Sequence, residues 1–161
     1  MSFAIAPDGV RIHCEVEGSG PSLVLQHGLF RNLNNWHERG YVERFAPRYQ
    51  WILIDSWGHG ESDKPDNAEA YELGIRVVDV ASVLHDAGAD TAHYMGYSVG
   101  CWIGYGISIY MPQRFRSLTL GSSAPTLSTA PNWETVVANP TLRENPQIAR
   151  SLAEFPHAMP A

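Results

Sequence analysis

The feature that most narrows what this chain can be is Gly96-Tyr97-Ser98-Val99-Gly100, a serine between two glycines where a strand pattern gives way to a helical one. Thr91-Ala92-His93-Tyr94-Met95 reads as a short strand before it, and Val99 to Met111 as a helix after it. A sharp strand-to-helix turn holds a serine hydroxyl clear of its surroundings, where it can attack. Such a turn strains the backbone at the serine and lets neighbouring chain pass close by, so small residues belong two before it and two after. The pentapeptide alone is a weak signal, and the flanks make it specific. Ser98 is the candidate nucleophile, and Gly96 and Gly100 are the residues that make room for it.

The chain around that turn alternates strands with helices. Residues 3–6 and 10–16 read as strands joined at Pro7-Asp8-Gly9, a turn signal with glycine where positive φ is tolerated. Ser22 to Gln26 is a short apolar run of the kind buried on both faces of a parallel sheet, and it ends at His27-Gly28-Leu29-Phe30. Asn34 and Asn35 can cap a helix running through Trp36 to Phe45, closed by Pro47. Tyr49 to Asp55 is the next buried strand, followed by a polar, glycine-rich loop from Ser56 to Pro65. From Tyr71 to Ala87, Leu73, Val77, Val80, Ala81 and Leu84 recur at helical spacing, with Glu72, Arg76, Asp79 and Asp86 on another face and Gly88 as the stop. Phe115 to Gly121 completes the strands. The alternation predicts an α/β fold: a mostly parallel twisted sheet with helices on both faces and ligands at the carboxyl ends of its strands. Beyond residue 124 the texture changes, since six of the eleven prolines stand from Pro125 onward, and no further strand is evident. Residues 1–124 are therefore expected to form the core and 125–161 a separate proline-rich segment.

Composition excludes several classes of function. With 161 residues, 44% hydrophobic and 17% charged, the chain suits one globular domain, and no apolar run approaches a membrane span. The first residues carry neither a basic region nor a long apolar stretch, so the expected location is the cytoplasm. A net charge of −6 with scattered arginines argues against nucleic acid. Cys14 and Cys101 lack metal or redox spacing and are expected as buried free thiols. Asp55, His59, Glu61 and Asp63 match no zinc or calcium pattern, so no metal is expected, and no cofactor. Gly104-Tyr105-Gly106 lies within a helix and lacks a dinucleotide fingerprint, which points to close helix packing.

With the nucleophile turn, His27-Gly28 and the Gly58-His59-Gly60-Glu61-Ser62 loop in this order, residues 1 to about 125 resemble the α/β-hydrolase fold family, in its single-domain esterase and lactonase-like branch. The resemblance implies that His27-Gly28 leads into an oxyanion loop, in which the backbone N–H of Leu29 is one donor and that of Val99 the other. It implies a serine hydrolase acting on a small ester or lactone through an acyl-enzyme, with Ser98 attacking. It also implies that residues 125–161 begin a lid and that the loop from Asp55 to Pro65 is structural. Trp57 stands where the family often has arginine, and Cys101 where it often has glycine. The family's acid and histidine follow the serine in the chain. After Ser98 this chain has one histidine, His157, between prolines, and no carboxylate in Gly121-Ser122-Ser123-Ala124. His27 and His59 read as structural, and His13, His37, His85 and His93 show no ligand spacing. Two alternatives stay open: a truncated, non-catalytic remnant or binding module, and a cofactor-free lyase or peroxidase on the same scaffold. The sixth strand, flanked on both sides in the family, would here be an open edge favouring self-association.

Overall fold

The computed structural model describes residues 2–66 and 71–122, and the expected lid segment and His157 lie outside the described residues. Six strands form one sheet in the order β1-β2-β4-β3-β5-β6. They are β1 (Ser2–Ile5), β2 (Arg11–Gly18), β3 (Ser22–Gln26), β4 (Gln50–Ile54), β5 (Ala92–Tyr97) and β6 (Phe115–Gly121). The β1–β2 and β2–β4 pairs are antiparallel, and the pairs β3–β4, β3–β5 and β5–β6 are parallel. The α/β fold with a mostly parallel sheet is therefore as expected. The hairpin turns at Gly9, whose φ is +88°.

Side chains alternate across the strands and feed two cores. Ile52 and Ile54 of β4, with Val24 of β3, pack against Val77, Val80 and Leu84 of α3 (Leu73–Asp86) and Ile103 and Ile107 of α4 (Val99–Tyr110). Trp51 and Leu53 point the other way, with Leu25, onto Trp36 of α1 (Asn34–Glu38) and Val42 of α2 (Tyr41–Phe45). Gly106 lets α4 approach α3, since a Cβ there would lie 2.7 Å from Leu73 Cδ1 and Val77 Cγ2. Among the described residues no helix is long and apolar enough to cross a membrane.

Three expectations are corrected. The single helix through Phe45 is two short ones, because Gly40 takes φ +69° and the chain turns there. The side-chain oxygen that accepts the first-turn amide is Asn32 Oδ1, bonded by Asn34 N–H at 3.1 Å, rather than Asn34 or Asn35. Arg76 and Asp79, expected on the polar face of α3, are buried at 4% and 5% exposure, because the Arg76 guanidinium lies against the rings of Trp57 and Tyr71 and Asp79 lines one cavity with Arg76 and Trp57. Cys14 and Cys101 are buried free thiols, as expected.

Candidate active site

The carboxyl ends of β3, β4 and β5 bring the chemistry-bearing loops to one edge of the sheet. Ser98 sits between β5 and α4 at φ +54° and ψ −110°, a conformation that costs a non-glycine residue about 1–3 kcal/mol and persists only when its surroundings enforce it. They do so here. Ser98 N–H donates to Gly121 O at the end of β6 (2.9 Å), and Ser98 O accepts from Cys101 N–H (2.8 Å). The Cys101 thiol donates to Gly121 O as well, at 2.8 Å. A Cβ on Gly96 would overlap the Gly100 carbonyl, and one on Gly100 would overlap the Gln26 carbonyl of β3. Both glycines are thus required by close backbone approach at the turn.

Gly28 faces the same turn, for a Cβ there would lie 3.2 Å from Ser98 Cβ. Leu29 follows it, half-buried, and Phe30 takes φ +58°. Val99 opens α4, so its N–H is one of the first-turn amides that have no acceptor within the helix. The structure therefore brings together Ser98, Gly28, Gly96, Gly100 and Val99, with Leu29 one residue beyond the contact. Tyr97 beside them is 53% exposed.

His27 and His59 line this edge but are spent on the backbone. Ser56 N–H donates to His27 Nε2 (3.1 Å), which leaves the Nδ1 hydrogen for Gly28 O (2.7 Å). Phe30 N–H donates to His59 Nε2 (3.3 Å), and His59 Nδ1–H donates to Trp57 O (2.9 Å). Both rings are neutral in this arrangement. Burial holds His27 below its ordinary value, and burial with the neighbouring His27 pushes His59 down to about 3. His93 is bonded to Ser117 Oγ on the sheet.

Asp55, at the end of β4, organises the loops. Its Oδ2 is 2.8 Å from His13 Nδ1 and accepts from Glu61 N–H (3.0 Å), while Oδ1 accepts from Leu33 N–H (2.7 Å). Ser62 locks the same loop, donating to Asp55 O and accepting from His13 N–H, both at 2.8 Å. The sequence marks the loop from Asp55 to Pro65 as structural but not the groups that meet at Asp55, because they come from three separate segments. Beneath the loop, Gln26, Trp57, Arg76 and Asp79 line a cavity with about 10 Å³ free at a water's centre, room for one water. Gln26 Oε1, Trp57 Nε1, Arg76 Nη1 and Asp79 Oδ1 are buried there without hydrogen-bond partners. Burial pushes the Asp79 carboxyl up to about 7, against the opposing pull of Arg76.

A mostly parallel sheet whose strand ends carry a serine on an enforced strand-to-helix turn frames this site, and the chain belongs to the α/β-hydrolase fold family, which residues 21–150 match. It is 28% identical over 137 residues to 3-oxoadipate enol-lactonase 1 of Acinetobacter baylyi, covering 81% of this chain and 50% of that protein. It is also 28% identical over 142 residues to bifunctional epoxide hydrolase 2 of Sus scrofa, covering 86% of this chain and 25% of that one. Among solved structures, the N-acyl homoserine lactone degrading enzyme Est816 superposes with a TM-score of 0.74 at 25% identity, covering 96% of this chain and 65% of that one. The chain spans half or less of the length of these curated relatives.

Proposed function

We propose that Ser98 is the nucleophile of a serine hydrolase that acts on a small ester or lactone through an acyl-enzyme, with the N–H groups of Leu29 and Val99 holding the oxyanion. The observation that carries this reading is the backbone of Ser98 at φ +54°, pinned between two glycines that tolerate no Cβ. A strained serine is retained where its exposure serves chemistry. Two preorganised N–H donors would stabilise the charge that builds on the carbonyl oxygen, a contribution commonly worth a hundredfold or more in rate. A serine at this position, rather than an aspartate, favours ester and lactone substrates over epoxides. The relatives named for lactones support the same class.

A second reading, a non-catalytic scaffold or binding module, is favoured by one observation: His27 and His59 are both committed to backbone partners and neither is offered to Ser98 as a base. The two readings separate on p-nitrophenyl acetate turnover by the 161-residue chain, by the chain extended to the length of its relatives, and by each with Ser98→Ala. The extended protein is expected to turn over and to lose about 10⁴- to 10⁶-fold with Ser98→Ala, while the short chain shows only a trace. Equal activity with and without Ser98 in the extended protein would dispose of the serine assignment.

A further inference from the structure

Along β2 the side chains alternate, so His13, Glu15 and Glu17 share one face of the strand. His37 of α1 comes onto that face, its Nε2 2.9 Å from Glu17 Oε1. One donor atom from each of Glu15, Glu17 and His37 lies within 4.8 Å of the other two. The other ring nitrogen, His37 Nδ1, is 2.8 Å from Glu43 Oε1 on α2. Three carboxylates thus gather around one imidazole. Among the described residues the ion pair formed by an arginine or lysine is Arg11 with Asp63, so none of these carboxylates is neutralised that way.

A second observation comes from higher on the same face. The His13 side chain is 4% exposed, with Nδ1 against Asp55. Its Nε2 is buried without a hydrogen-bond partner and lies 4.0 Å from Glu15 Oε1, beyond hydrogen-bond reach. A buried polar atom left unpaired costs roughly 1–3 kcal/mol. Both imidazoles are therefore built alike, with a carboxylate behind Nδ1 and Nε2 turned toward Glu15 or Glu17. A carboxylate behind the far nitrogen is how metal-binding histidines are oriented and made more basic.

We propose that Glu15, Glu17 and His37 bind a divalent transition-metal ion of the zinc class, with Glu43 orienting His37 and the His13 ring facing the same carboxylates. Calcium and magnesium take oxygen donors, whereas one imidazole and two carboxylates suit zinc, which accepts three protein ligands and completes its shell with water. This departs from the expectation of no metal, which rested on local spacing; here the donors come from a strand and a helix that meet only in the fold. Glu17 pairs with Trp51 at the amino end of β4, so the ion would sit at the opposite end of the sheet from Ser98 and tie β2 to α1 and α2.

The test is zinc titration of the EDTA-stripped chain against a fluorescent zinc indicator, for the wild type and for His37→Ala, Glu17→Gln, Glu43→Gln and a control, His85→Ala, with circular dichroism to verify folding. The expected result is one zinc per chain, binding weakened at least tenfold by His37→Ala and Glu17→Gln and about 10- to 100-fold by Glu43→Gln, and unchanged by His85→Ala. Zinc should raise the melting temperature of the wild type and leave that of His37→Ala where it was. No uptake at micromolar zinc, or equal uptake by wild type, His37→Ala and Glu17→Gln, would overturn the proposal, and full affinity in Glu43→Gln would remove Glu43 from it.

Discussion

Asp55 accepts from two backbone amides and faces an imidazole while almost wholly buried, so its loss strands several groups at once. Asp55→Ala is expected to lower unfolding free energy by about 3–5 kcal/mol, the range for removing one partner of a buried charged cluster, as read from urea midpoints. Gly60 tests the same node from the other side. At φ +50° its Cβ would overlap the Asp55 carboxylate, so Gly60→Ala should destabilise the protein even though it adds one methyl group. A wild-type urea curve for Gly60→Ala would show that the loop has slack the structure does not contain.

At the scale of elements, α3 and α4 each make a prediction. The folded-state carboxyl of Asp79 stands at about 7, against 3.8 for the unfolded chain, so the native state holds more protons between those values. Stability from this group is full below about pH 4 and is lost as pH rises toward 7, at no more than about 1.4 kcal/mol per pH unit. Asp79→Asn should abolish that component, so the stability difference between variant and wild type should shift in the variant's favour from pH 4 to pH 7. A difference that stays flat across that range would refute the burial argument. On α4, Gly106→Val would drive methyl groups into Leu73 and Val77 and should cost about 1–3 kcal/mol.

These elements also show what a linear reading captures. Strands β3 and β4 are legible because buried parallel strands are short apolar runs, and the turn at Ser98 is legible because its glycines and both flanks are local. The break at Gly40 escapes notice because apolar spacing carries on through it while only φ changes. Arg76 and Asp79 mislead for a different reason: helical periodicity assigns faces by polarity, and a guanidinium and a carboxyl group whose charge burial opposes can be covered together one turn apart. The Asp55 hub and the His37 cluster are invisible in sequence because their members meet only through sheet pairing and loop closure.

At the scale of the whole molecule, β6 is the last strand of the sheet among the described residues and pairs there with β5 alone. Leu118 and Leu120 there are only partly buried. An unpaired strand edge is a template for another chain, and we expect the 161-residue chain to self-associate as its concentration rises. Sedimentation velocity that returns a monomer over a hundredfold concentration range would refute this.

The convergence of amides on the Asp55 carboxylate has a consequence for motion. Loop amides ordinarily trade hydrogen with solvent quickly, through small local openings. Leu33 and Glu61 lie in two different loops, yet each donates its hydrogen to a carboxylate that is 2% exposed and seated at the end of a central strand. In deuterium exchange these two amides should persist about as long as those of β4 itself, because releasing either requires the sheet end to come apart. The loops that leave β3 and β4 would then already be set before any ligand arrives, and on the reading proposed above loop closure would add little to the time a turnover takes.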